Sequence, residues 1–236
     1  MRVSRIVIAG AAALATCGVL GMAPAAAQAS SASTPTWTQQ TPAAHPPALI
    51  GASMAYDAAT GTMVLFGGVP HLKSALAETW TWDGTTWTRQ HPAGHPSARF
   101  AASMAYDAAT GTVVLFGGNA GPGNATPLAD TWTWDGTTWT KQHPATSPPS
   151  RINASMAYDA TTGTLVLFGG DSNNMLADTW TWGGTTWTQQ APATSPPARD
   201  EAAMAYDAAT GTVVLFGGNG ASQGNMKGIA DTWTWG

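Results

Sequence analysis

The sequence repeats itself four times, and that repetition limits the possible fold more than any other property of the chain. Met-Ala-Tyr-Asp begins at Met54, Met104, Met156 and Met204, and Phe-Gly-Gly begins at Phe66, Phe116, Phe168 and Phe216. Thr-Trp-Thr-Trp begins at Thr79, Thr131, Thr179 and Thr232. A unit of about 50 residues is too small to bury its own apolar surface, so each must pack on its neighbour.

Each unit reads as four short strands. In the first, Ala52 to Asp57, Met54 and Tyr56 alternate with the small Ser53 and Ala55. Asp57-Ala58-Ala59-Thr60-Gly61 carries turn chemistry, with an acceptor side chain at its start and a glycine free to turn left-handed at its end. Thr62 to Gly67 is apolar on both faces, as suits a strand covered on both sides. Strands three and four form a hairpin. Read as a two-residue type I′ turn, Asp83-Gly84 sets Trp82 opposite Thr85 and Trp80 opposite Trp87. Trp80, Trp82 and Trp87 then share one face, as do Trp132, Trp134 and Trp139, and all are expected to be buried against a neighbouring unit.

The segment before the repeats has the pattern of a secretory leader over residues 1–29. Arg2 and Arg5 precede an apolar run from Ile6 to Leu20, and Ala27-Gln28-Ala29 supplies a small-residue cleavage site. A secreted, extracellular chain of residues 30–236 is expected. The single cysteine, Cys17, lies in the leader, so the exported chain has neither disulfide nor thiol chemistry. Without Arg2 and Arg5, 9 − 2 = 7 basic residues face 13 acidic ones, a net charge of −6. No basic cluster interrupts this balance, which argues against nucleic acid and against an anionic membrane as partners.

The Gly-Gly doublet ending strand two, the downstream Asp130-Thr131-Trp132 and the later Trp139, with their counterparts, resemble the Kelch repeat, as found in the propeller domain of galactose oxidase. The resemblance covers about residues 36 to 236. It implies an all-β fold, a β-propeller of four four-stranded blades at about 50–90, 100–142, 152–190 and 201–235. Thr36-Trp37-Thr38-Gln39-Gln40 matches Thr86-Trp87-Thr88-Arg89-Gln90, whereas the last unit has only the first half of its hairpin. Residues 36–40 are therefore expected to pair with 231–235, with Trp37 opposite Trp233, closing the ring within a monomer rather than a strand-exchanged dimer.

The chemistry of a site must come from residues that break the repeat. The tyrosines, the turn aspartates and the tryptophans all sit at repeated positions, and no catalytic constellation stands out. The copper chemistry of galactose oxidase needs a tyrosine cross-linked to cysteine, so it does not carry over; no cofactor and no metal site are expected. Arg99, Arg151 and Arg199 are expected to pair with the acids that precede strand three, among them Asp130, Asp178 and Asp231; a ring of arginines facing the channel mouth, suited to a carboxylate ligand, is the functional alternative. The connections of variable length, 69–77, 119–129, 171–177 and 219–230, share one rim and are the expected binding surface. They carry His71, Lys73, Asn119, Asn124, Asp171, Asn173, Asn174, Gln223, Asn225 and Lys227. Near them Asp200-Glu201 replaces Phe100-Ala101 and adds two more rim candidates. A calcium or cationic ligand contact stands there beside a solvated acidic step; the step is the expected reading, because adjacent strand residues point to opposite faces and do not easily share one ion. The chain reads as a binding scaffold for an extracellular protein or glycan rather than an enzyme. A carbohydrate-active enzyme and a degenerate propeller without a ligand stay open beside it.

Overall fold

Three of the four repeats fold into four-stranded antiparallel sheets whose strands follow one another in chain order. The computed structural model describes residues 35–71, 74–121, 126–222 and 225–236. Repeat one contributes Ser53–Asp57, Thr62–Phe66, Thr79–Trp82 and Trp87–Gln90. Repeat two contributes Ser103–Asp107, Thr112–Phe116, Thr131–Trp134 and Trp139–Gln142; repeat three contributes Ser155–Asp159, Thr164–Phe168, Thr179–Trp182 and Trp187–Gln190. The main sheet of repeat four has three strands, Ala203–Asp207, Thr212–Phe216 and Thr232–Trp235, and a second three-stranded sheet beside it joins Arg199–Asp200, Asn219–Ser222 and Asn225–Gly228. No helix occurs among the described residues, and the all-β reading of the sequence holds.

The first turn forms as its composition requires. Asp57 is fully buried, its Oδ1 accepts the N–H of Ala59 at 3.0 Å, and its carbonyl accepts that of Gly61 at 2.8 Å. The second hairpin departs from expectation by two residues. Trp82 faces Trp87, Thr81 faces Thr88, Trp80 faces Arg89 and Thr79 faces Gln90. The loop is four residues, 83–86, closed by the N–H of Asp83 on the carbonyl of Thr86. Asp83 Oδ1 adds bonds from the N–H of Thr85 and Thr86 at 2.8 and 2.7 Å, which a two-residue turn could not accommodate. Because side chains alternate with a period of two, a slip of two residues leaves all three tryptophans on one face.

Sheets stack face to face through unlike surfaces. Ala55, Val64 and Phe66 of repeat one form a core with Val113, Leu115, Trp134 and Trp139 of repeat two. Ala105, Val114 and Phe116 of repeat two meet Leu165, Leu167, Trp182 and Trp187 of repeat three in the same way. Ala157 and Val166 of repeat three meet Val213 of repeat four. The Phe-Gly-Gly glycines make this approach possible. Gly67 has φ +72°, and a Cβ there would lie 2.3 Å from the Arg99 carbonyl oxygen. Serines tie the first strands together: Ser53, Ser103 and Ser155 each donate to the carbonyl of an alanine one repeat on.

Burial of the tryptophans depends on position in the series. Trp134, Trp139, Trp182 and Trp187 are buried, whereas Trp132 of repeat two and Trp80, Trp82 and Trp87 of repeat one are only half-buried, contrary to the sequence expectation. The tryptophan face of repeat one carries Met54 and Tyr56, both more than half exposed, and no other repeat of the described chain covers it. The opposite face of repeat four is likewise open, with Phe216 at 52% exposure against 1% for Phe66. Residues 40–236 form one compact unit. The described residues before it, 35–39, hold no strand, and Trp37 is fully exposed. The expected pairing of residues 36–40 with 231–235 is not among the ladders formed.

Candidate functional site

The arginines and their acids are spent on joining repeats. The Arg99 carbonyl accepts the N–H of Gly68, and its own N–H reaches the Leu76 carbonyl, both in repeat one. Its side chain, 1% exposed, turns to repeat two, where it grips both oxygens of Asp130 at 2.6 and 2.9 Å and donates to the Gly117 carbonyl. Arg151 with Asp178 and Arg199 with Asp231 repeat the arrangement. Such bidentate pairing fixes geometry as well as charge. Burial alone would raise Asp178, but hydrogen bonds from Arg151 and Trp180 and the Arg151 charge hold it below the ordinary 3.8. In Asp231 the bonds from Arg199 and Trp233 depress the carboxyl strongly. Repeat one has Leu49 at the arginine position, and its acid Glu78 pairs instead with Arg89 at 2.9 Å.

Along the rim that carries the variable connections, the backbone itself crosses from repeat to repeat. Gly51 O accepts the Ala101 N–H at 2.8 Å, Ala101 O that of Asn153 at 2.9 Å, and Asn153 O that of Glu201 at 3.0 Å. All four residues are left-handed, with φ between 54° and 66°. Glycine and asparagine accept this conformation readily; glutamate does not.

That conformation, with the burial of Asp200, overturns the expectation of a solvated acidic step whose side chains point to opposite faces. The left-handed turn at Glu201 breaks strand alternation, and both carboxylates reach the Asn153 amide, Asp200 Oδ2 at 3.5 Å and Glu201 Oε1 at 3.2 Å. Asn219 donates to the other Glu201 oxygen at 2.9 Å. Asp200 is 3% exposed, and its Oδ1, like Oδ1 of the neighbouring-loop Asp171, is buried without a hydrogen-bond partner among the described residues. The rim of repeats three and four is thus rich in acceptors and short of donors. Asn153 and Asn219 were not among the sequence candidates. The available signal was that Asn153 stands where Gly51 and Ala101 stand in other repeats.

The remaining candidates divide. His71, Asn173, Asn174 and Lys227 are exposed on this rim, Asn173 in the left-handed region with φ 68°. Asn119 is buried and does a structural job: its Oδ1 accepts the N–H groups of Gly121 and Thr126, both at 3.2 Å, shaping its own loop. Asn225 opens the strand Asn225–Gly228. Lys73, Asn124 and Gln223 lie outside the described residues. No group of three histidine, cysteine or acidic side chains is arranged to hold a metal ion among the described residues.

Residues 27–188 match the family model of the KLHDC2/KLHL20/DRC7 Kelch-repeats domain. The chain belongs to the Kelch-repeat family. No curated protein matches the sequence. Kelch-repeat domains serve in general as non-enzymatic scaffolds, which accords with a chain whose repeated polar residues hold its sheets together. The match begins ahead of Trp37, so the Thr-Trp-Thr-Gln-Gln segment belongs to the Kelch region.

Proposed function

We propose that this Kelch chain is an extracellular interaction scaffold of four blades whose variable rim takes a protein ligand. The leader pattern of residues 1–29 supports export. The observation that carries the binding reading is the cluster of Asn153, Asp200, Glu201 and Asn219, where residues that differ between repeats converge by hydrogen bonding. Buried carboxylate oxygens without partners are costly, and a ligand that brings donors relieves that cost. A guanidinium or ammonium group on a partner protein meets this need, supported by the net negative charge of the chain. Exposed Asn173, Asn174 and Lys227 on the neighbouring connections widen the contact surface.

The test is to immobilise the purified chain and probe it with a library of arginine- and lysine-containing peptides and with a glycan array. Peptide retention that Asp200→Asn with Glu201→Gln abolishes, at unchanged unfolding midpoint, is the expected result. Retention of glycans alone would favour the carbohydrate alternative. Peptide binding indifferent to both substitutions would remove the rim cluster from the site.

A further inference from the structure

One socket that repeats one and two have filled is empty in repeat three. Trp139 sets its ring edge-on to Phe66 at 5.4 Å and donates its N–H to Thr79 Oγ1 at 2.9 Å, one repeat back. Trp187 does the same with Phe116 at 5.3 Å and Thr131 at 2.9 Å. Each indole also leans on a tryptophan of its own sheet, Trp134 or Trp182, and the Thr146 hydroxyl donates to the Trp187 carbonyl. One repeat further on, the corresponding receivers are Phe168, Thr179, Trp235 and Thr194. These four line a groove together with Leu215 and Pro196, and no indole of the described residues occupies it. Beside the groove, Thr232–Trp235 pairs among the described residues along one edge only, with Thr212–Phe216. An apolar slot, two hydroxyls and an open strand edge are the receptor for a Thr-Trp-Thr-x-Gln strand.

The chain holds one further such strand sequence. Thr36-Trp37-Thr38-Gln39-Gln40 is identical to Thr186–Gln190, and Pro42-Ala43 follows it as Pro192-Ala193 follows the other. Trp37 is fully exposed.

We infer that residues 36–40 of a second copy of this chain fill the socket, and that two copies do so reciprocally. The register of the complete hairpins sets Trp37 opposite Trp235, Thr38 opposite Thr234 and Gln40 opposite Thr232. The partner is a second copy because repeats one and four are the two ends of the series, and the outer face of each is open. Residues 36–40 lead directly into repeat one, so a strand seated in the socket brings its own repeat one onto the open face of repeat four. Met54 and Tyr56 then cover Ala203, Ala205 and Phe216, as Met104 and Tyr106 cover the matching face of repeat one. Two chains joined at both ends make a ring of eight sheets, within the size range of propellers, with no free edge. This junction lacks two of the ties found between other repeats, since Leu49 replaces the arginine and Ala203 the serine. It is therefore weaker than the junctions inside a chain, and dissociates on dilution.

The full chain carrying Thr38→Cys and Thr234→Cys, with Cys17→Ser, tests this directly. Mild oxidation followed by non-reducing electrophoresis is expected to give a covalent pair of chains, and light scattering of the unsubstituted chain twice the single-chain mass. Adding Trp37→Ala is expected to abolish the cross-link while leaving the unfolding midpoint of dilute protein unchanged. A disulfide formed within one chain, a ladder of more than two chains, or a native single-chain mass without cross-linking would each overturn the inference. So would a covalent pair that survives Trp37→Ala.

Discussion

Trp187 donates its indole N–H to the hydroxyl of Thr131, a residue buried in the preceding sheet, at 2.9 Å. The contact joins two consecutive repeats through the largest side chain of one and a small polar group of the other. Trp187→Ala is expected to cost about 3–5 kcal/mol. Trp187→Phe keeps much of the apolar contact but strands the Thr131 hydroxyl, at a cost of about 1–3 kcal/mol. Urea unfolding of the two variants measures both; a Trp187→Phe variant as stable as the parent would show that the hydrogen bond contributes nothing.

Arg151→Ala leaves Asp178 largely buried without its cation, a loss of about 3–5 kcal/mol near neutral pH. The Asp178 carboxyl titrates below its ordinary 3.8 in the fold, so the stability it supplies is fully present above that value. It is lost as pH falls through 3.8 toward the lower folded value. The gap between wild type and Arg151→Ala should therefore narrow below about pH 4. Unfolding midpoints at neutral pH and in acid decide this, and a gap that widens in acid contradicts it.

Gly117→Ala and Gly84→Ala separate crowding from backbone strain. Both glycines are left-handed, but a Cβ on Gly117 lies 2.5 Å from the Arg151 carbonyl oxygen, while one on Gly84 meets nothing within 4 Å. Gly84→Ala is expected to cost about 1–2 kcal/mol from conformation alone. Gly117→Ala should cost clearly more, because backbone of the next repeat must move. Thermal unfolding of the pair suffices, and equal effects would mean that the sheets yield without penalty.

Much of the fold was legible because repetition multiplies weak signals. A single Met-Ala-Tyr-Asp says little, but four in phase, each followed by Phe-Gly-Gly and Thr-Trp-Thr-Trp, specify a stack of like sheets. The hairpin register was misread because Asp83-Gly84 looks like a two-residue turn, whereas the Asp83 carboxylate holds Thr85 and Thr86 inside a longer loop. The candidate site was legible only in part. Asp200-Glu201 stood out as a break in the repeat, but its link to Asn153 and Asn219 depends on a left-handed Glu201. Nothing in a glutamate's side chain announces that conformation. The half-burial of Trp82 was equally hidden, since its sequence is that of the buried Trp134 and Trp182 and only its place at the end of the series differs.

Ser155→Ala should cost about 1 kcal/mol, because its hydroxyl donates to the Ala202 carbonyl at 2.6 Å across repeats. The reverse change at the open end, Ala203→Ser, should leave the stability of dilute protein unchanged. Chemical denaturation of both variants at low concentration makes the comparison, and a gain from Ala203→Ser would show that the outer face is covered even then.

The second strands of repeats two and four are the same five residues, Thr-Val-Val-Leu-Phe, and the third strands of all repeats are the same four. A newly made chain therefore meets partners that its side chains cannot tell apart. Phe116 can seat against Thr131 or against Thr232 with equal fit, and only the tether distinguishes them. The wrong choice closes a loop about eight times longer, which disfavours it by only about 2 kcal/mol. Refolding from denaturant should consequently populate shuffled hairpins that must open before the correct stack completes, whereas synthesis from the N-terminus presents each hairpin before its competitors exist.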